Sequence, residues 1–581
     1  MLPCLPAADT APDARRRELD QSREDYRFDH SLAGLPLAAE VPRGEGYSPE
    51  YMLRAAKVEL DLVENRRAAS KDPRLDEDRA RYRALVDSAR GGIAGALDDL
   101  RAELADVKAR GLYRAPLVMP DHLDDYAALF QSLPLPASRP FADDDAFFAW
   151  QRLGGCNPAQ LRGLAELDPR LGVDEASFRR AIPDGDDSLA RSLEEGRLFL
   201  LDRSFLAGAP TRPSHGFSRY VDGPLALFVR TLAGPLAPVL VQMGPTPGSA
   251  VVGPRDGERW RLAKLAVQSA DAASQGVIEH LGRCHIFASA VYLTTARELA
   301  PRHPLRTLLA PHFEMTLAAN ATMRTAVIGP DGFVDQLQGP SLDAALALAG
   351  DALRRGSVRD SSPLRDLDVR RVSDTTALPD YPYRDDARLV AAALGRWVHA
   401  YLALYYDGDA ALAADGELSA WVRALSAADS AGLADVPSIS TVAERGDLVT
   451  TIVFRVTALH AVINYGGYDY YAWPPTLPTA RWAPMPAADG PVPVDAYRAS
   501  LPPLGLADLT LDLMLPQREL RLNTLGAYPR GHFVDPRVAP LEKALRDELA
   551  DAERVISARD AARRWSSPSL LPSRIAQSIH V

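Results

Sequence analysis

His280-Leu281-Gly282-Arg283-Cys284-His285 lies within the stretch from Trp260 to about Thr295, which predicts a long helix. Its two histidines are five residues apart. In a regular α-helix that spacing turns two side chains about 140° away from each other. They share a face only if a π-bulge widens the helix, a distortion frequent at functional sites. A second pair sits in Ala458-Leu459-His460-Ala461-Val462-Ile463-Asn464, inside a predicted helix over about 446–465. Residues four apart point the same way from a helix, so the His460 imidazole and the Asn464 amide oxygen can meet one metal ion. A core histidine satisfied by ordinary hydrogen bonds is the plainer alternative. The chain ends in Ser578-Ile579-His580-Val581, and the apolar run Leu570-Leu571-Pro572-Ser573-Arg574-Ile575 predicts a tail threaded into the protein. A carboxylate that must reach a buried metal cannot fray as termini ordinarily do.

Composition narrows the function classes. The 581 residues are 47% hydrophobic and 25% charged, as in ordinary globular proteins, and the net charge is −11. No long basic run occurs, which argues against a nucleic-acid partner, because phosphate binding needs clustered Lys and Arg. The arginines are interleaved with acids, as in Arg15-Arg16-Arg17-Glu18, and read as solvated, paired helix faces. Cys4, Cys156 and Cys284 are odd in number and far apart, so neither a disulfide framework nor a CxxC zinc site follows. No secretory signal and no membrane-spanning stretch is visible, and the expected location is cytoplasmic. No glycine-rich phosphate loop precedes a Lys-Ser/Thr pair.

Along the chain, residues 1–45 are polar and proline-punctuated, a poorly ordered or wrapping arm. Residues 46–115 form a helical segment that packs on the main body or covers an apolar pocket, with two helices split near Lys71-Asp72-Pro73. Residues 116–581 form the main domain. There Arg197–Asp202, Pro224–Val229 and Pro238–Met243 read as buried strands. Further long helices are expected over about 304–328, 385–407, 446–465 and 538–558. The fold class is therefore mainly α, a large helical domain with a few short β-strands and long central helices.

Many collinear motifs resemble the lipoxygenase family of non-haem iron dioxygenases. The resemblance runs from about Ala142 to Val581. It includes Phe141-Ala142-Asp143-Asp144 through Gln151, Gly155-Cys156-Asn157-Pro158, and Trp260-Arg261-Leu262-Ala263-Lys264 leading to Ala270-Asp271. Thr295-Ala296-Arg297-Glu298-Leu299, His303-Pro304-Leu305, Pro311-His312-Phe313, Asp380-Tyr381-Pro382-Tyr383, Trp397 and Leu404-Tyr405-Tyr406 follow in order. Tyr471-Ala472-Trp473 and the C-terminal tetrapeptide complete the set. The N-terminal region reads as helical, which resembles the bacterial single-domain form without a β-barrel. Membrane contact through its charged helices is a weak alternative.

The resemblance implies an enzyme that holds one non-haem iron and inserts O2 into a polyunsaturated fatty acid or similar apolar substrate, by hydrogen abstraction, to give a hydroperoxide. It implies a monomer. It also implies that His460, Asn464 and the Val581 carboxylate hold the metal. In the central helix the family pattern is read as three positions five apart, of which the first two bind. Ungapped alignment from Arg297 and His303 back to Trp260 then puts Gln275 at the first position, as a weak or absent ligand. His280 falls at the second and His285 at the third. The alternative register makes His280 and His285 the binding pair. Two histidines and a carboxylate, His280, His460 and Val581, would still suffice for a non-haem Fe(II) site.

A second departure is Met323, in Asn320-Ala321-Thr322-Met323-Arg324, where the family has a small residue that directs oxygen. A thioether there fills the space of oxygen or substrate, unless it packs in a reshaped core, and Val327 partly compensates. Gln275 and Met323 together carry an alternative reading, a lipoxygenase-fold metalloenzyme that rearranges a hydroperoxide or oxidises a specialised metabolite. A third reading is a metal-poor lipid-binding relative.

Overall fold

A computed structural model describes residues 2–90, 115–182 and 185–581. Its axis is a continuous helix, Glu258–Glu298, α-helical over Glu258–Ala273, π-helical over Ser274–Ile286 and α-helical again over Phe287–Glu298. Most of its residues are buried on every side, which marks a core helix and not a surface one. A second core helix packs against it: Val442–Phe454, a π-helical turn Arg455–Leu459, and His460–Asn464. It starts at a capping box in which the Thr441 side chain accepts from the Glu444 N–H and the Glu444 carboxylate accepts from the Thr441 N–H. The run Val442–Tyr471 is long and apolar enough to cross a membrane, but 83% of its apolar window is buried inside the protein.

The mainly α architecture is as expected, and the strands Leu198–Asp202, Leu225–Arg230 and Leu236–Gln242 lie where the sequence puts them. With Arg162–Gly163 and Val251–Val252 they form a five-stranded antiparallel sheet in chain order. Its register slips between Leu227 and Phe228, where Pro238 faces Phe228 and has no N–H to donate to the ladder. Helices Pro382–Ala403 and Ala539–Ala562 also match.

The helix expected over 304–328 is instead broken. It runs Pro304–Leu309, tightens to a 3-10 turn over Ala310–Phe313, and restarts at Thr316 after Met315 adopts a left-handed φ of 59°. The arm is not loose. Its helix Pro12–Asp25 packs on Phe287–Glu298, and buried Arg15 pairs with Asp9 and Glu417. The split near Lys71-Asp72-Pro73 separates helices Pro49–Ala69 and Pro73–Arg90. The helical reading beyond them, over 91–114, falls outside the described residues.

One buried ionic cluster ties Gly155-Cys156-Asn157 to the central helix. The Asp271 carboxylate accepts from Arg152, from Arg203 at 2.6 Å and from Asn157 Nδ2 at 2.8 Å, all of them buried. Removing it strands two guanidinium groups away from water. Asp271→Ala is expected to lower unfolding stability by about 3–5 kcal/mol, read as a lower denaturant midpoint. A midpoint within experimental error of the parent would contradict the cluster's role.

Candidate metal centre

Three imidazoles converge where the two core helices cross. His280 Nε2 lies 3.3 Å from His460 Nε2 and 3.2 Å from His285 Nε2, and their ligand atoms all fall within 4.8 Å of one another. The π-helix makes this contact, because i→i+5 hydrogen bonding stacks residues five apart that an α-helix would splay. His285 and His460 are 5% and 1% exposed. Burial pushes the His280 and His460 rings well below the usual imidazole range, and His285 down to about 4.

The hydrogen bonds around His285 determine which of its nitrogens carries the proton. Asn320 donates its Nδ2 to the His285 carbonyl at 2.8 Å and to Ser289 Oγ at 2.7 Å, which turns its Oδ1 toward the ring. His285 Nδ1 therefore donates to that oxygen at 2.7 Å, and the neutral ring presents an Nε2 lone pair to the cluster. That lone pair faces the Nε2 atoms of His280 and His460, and a cation between the three rings would accept from all of them.

Gln275 was expected at the first ligand position, with His285 off the metal. The geometry differs. Both ends of the Gln275 amide are engaged elsewhere: Oε1 accepts from Tyr471 OH at 2.6 Å and Nε2 donates to the Ile463 carbonyl at 2.7 Å. Both Gln275 and His285 are five residues from His280, so periodicity is silent between them. Tyr471 holds one away while Asn320 aims the other in. The register given above as the alternative is the one that brings imidazoles together.

Asn464, four residues after His460, is fully buried. Its Nδ2 donates weakly to the Gln517 carbonyl at 3.4 Å, and its Oδ1 has no hydrogen-bond partner. A buried amide oxygen without a donor is costly and fits a cation as its missing partner. The tail is threaded as expected, with Ile575 to His580 each at most 2% exposed. His312 Nδ1 faces the Gln577 carbonyl at 3.1 Å, and Thr316 Oγ1 donates to the Ile579 carbonyl at 2.8 Å. Val581 then lines the same cavity as His280 and His285. Three neutral imidazoles, an amide oxygen and a carboxylate are a suitable donor set for a divalent transition metal.

That cavity measures about 570 Å³, within the size range of ligand pockets. Leu281, Met323, Val327, Val334, Leu337 and Met514 make its walls apolar, and Met323 is 6% exposed. Tyr47, Tyr51 and Glu59 also line it, so the segment ahead of the main domain contributes to the cavity. Among the described residues its charged lining side chains are Glu59, Asp331 and Asp512, all acidic. The sequence reading assigned no role to Asn320 or Tyr471. Asn320 was visible only as a polar residue after the apolar Leu317-Ala318-Ala319.

The depressed histidines also set a pH response. Burial holds His285, His312 and His580 near 4, whereas the unfolded chain takes up protons near 6.5. Stability of the metal-free protein is thus intact above pH ~6.5 and lost as pH falls toward ~4, by up to roughly 1.4 kcal/mol per unit for each such ring. Denaturation midpoints at about pH 7 and pH 5 check this, and equal midpoints would refute it.

The sequence model of the lipoxygenase family matches residues 227–499. Over its whole length the chain is 30% identical to the linoleate 9/13-lipoxygenase of Pseudomonas aeruginosa, covering 93% of that protein. It is 30% identical to the human hydroperoxide isomerase ALOXE3, over 75% of this chain and 62% of that one. The solved coral 8R-lipoxygenase shares the fold with a TM-score of 0.83 at 22% identity, over 100% of this chain and 83% of the other. The chain belongs to the lipoxygenase family and is an oxidoreductase.

Proposed function

We propose that this chain is an iron-dependent dioxygenase of polyunsaturated fatty acyl chains, with one iron held by His280, His285, His460, Asn464 and the Val581 carboxylate. The observation that carries this reading is the convergence of three neutral imidazoles beside an unpartnered Asn464 oxygen on the wall of an apolar cavity. When bound, the metal supplies the redox chemistry that removes hydrogen from an activated carbon. The protein's own residues do the rest. Asn320 keeps the His285 proton on Nδ1, and Leu281, Val334 and Leu337 exclude water from the reacting segment. With no Lys or Arg among the described lining residues, an anionic carboxylate gains nothing by entering, so the acyl chain goes in by its apolar end. Metal analysis together with conjugated-diene absorbance on linoleate or arachidonate tests the proposal. Stoichiometric iron without any diene product would refute the fatty-acid part.

Met323 supports a second reading, in which a preformed hydroperoxide is rearranged. Its side chain is buried, lines the cavity, and stands where small residues normally leave room for oxygen. Gln275 has no part in this reading, since its amide is engaged by Tyr471 and Ile463. Met323→Ala is expected to raise dioxygenation of linoleate about tenfold or more, the scale on which a few buried atoms discriminate substrates. Unchanged dioxygenation in that variant would remove Met323 as a gate.

A further inference from the structure

Behind the central helix, away from the cavity described above, lies a second cavity of about 250 Å³ lined by Arg283, Arg370 and Arg455 together with Asp360 and Asp366. Arg370 is spent on Asp366 at 2.6 Å, Arg283 on Glu279 at 2.9 Å, and Asp360 on Arg365 at 2.7 Å. Those pairs cancel, and Arg455 is the surplus cation. It is 7% exposed, its Nε has no acceptor, and among the described residues no carboxylate pairs with it. Its guanidinium carbon sits 4.3 Å over the Phe287 ring. Stacking uses the face of the group and none of its N–H bonds, which lie in its own plane. A guanidinium buried without an acceptor is strongly unfavourable, whereas one joined to an oxyanion in a two-pronged hydrogen bond is favourable.

We propose that this cavity binds a small oxyanion, a carboxylate or a phosphate, on Arg455. The apolar lining from Phe287, Leu353 and Leu433 leaves room for a short alkyl group on a carboxylate. The site is joined to the metal-facing helices through the backbone. The His460 N–H donates to the Arg455 carbonyl, and Arg283 lies between His280 and His285 in the π-helix.

Equilibrium dialysis of the full-length protein against inorganic phosphate and, separately, against butyrate tests this at an ionic strength held constant with sodium chloride. One equivalent of at least one of the two anions per chain is expected, with Kd about 1 mM. Uptake of phosphate alone identifies a phosphate site, and uptake of butyrate alone a carboxylate site. Arg455→Gln should weaken binding at least about tenfold. Ala352→Leu adds bulk to the cavity from the facing helix Leu342–Arg355 and leaves the Arg455 side chain itself in place, and should abolish uptake even if Arg455→Gln fails to fold. Stoichiometric uptake of neither anion, or undiminished uptake by Ala352→Leu, would overturn the proposal.

Discussion

Replacing His285 by alanine is expected to strip the protein of its metal and of its oxygenase activity, whereas replacing Gln275 by alanine is expected to leave metal content near that of the parent. The two residues flank His280 at equal distance in sequence, yet their side chains are committed differently. His285 presents an unprotonated Nε2 3.2 Å from His280, with its proton held on Nδ1 by Asn320. Gln275 has both amide groups bonded to Tyr471 and Ile463. Loss of groups that merely orient a metal ligand costs about 10–100-fold in affinity, so loss of a proposed ligand should cost more than about 100-fold. Gln275→Ala should instead cost stability, about 1–3 kcal/mol, because it leaves the buried Ile463 carbonyl without its side-chain donor and the Tyr471 hydroxyl with the Ala272 carbonyl alone. Metal quantification on both purified variants is the measurement. Full metal in His285→Ala with loss in Gln275→Ala would restore the rival register.

Deleting Val581 is expected to lower metal affinity by about 100-fold or more, with little change in the denaturation midpoint of the metal-free protein. Deletion draws the terminal carboxylate back by one residue, about 3.5 Å, too far for a group that must touch the ion. The rest of the tail keeps its anchors, since the Gln577 and Ile579 carbonyls are held by His312 and Thr316 and Ile579 is fully buried. Were Gln275 the first ligand, only three strong donors would remain and the deletion would leave two. With His285 in place, three imidazoles persist, and residual binding at high metal concentration is expected. Undiminished affinity in the deletion variant would exclude the carboxylate as a ligand.

Much of the site is legible in local sequence because its parts are local. The four-residue step from His460 to Asn464, the five-residue step that demands a π-helix, and the apolar tail each express helix geometry or burial over a few residues. The long central helix and three of the sheet's strands are legible for the same reason. The break at 310–315 was hidden because Met315, a residue with no preference for left-handed φ, is placed there by its neighbours. The arm's order was hidden because Arg15 finds Glu417 about four hundred residues away.

The choice between Gln275 and His285 is the sharpest case. A period of five places both on the face of His280, and no rule confined to one helix ranks them. Tyr471 and Asn320, carried in on other segments, make that choice by holding one amide oxygen and fixing one imidazole tautomer. The chain thus encodes which residue types face the site through spacing alone. Which of them present free lone pairs depends on hydrogen-bond partners distant in sequence, and those meet only when the helices pack.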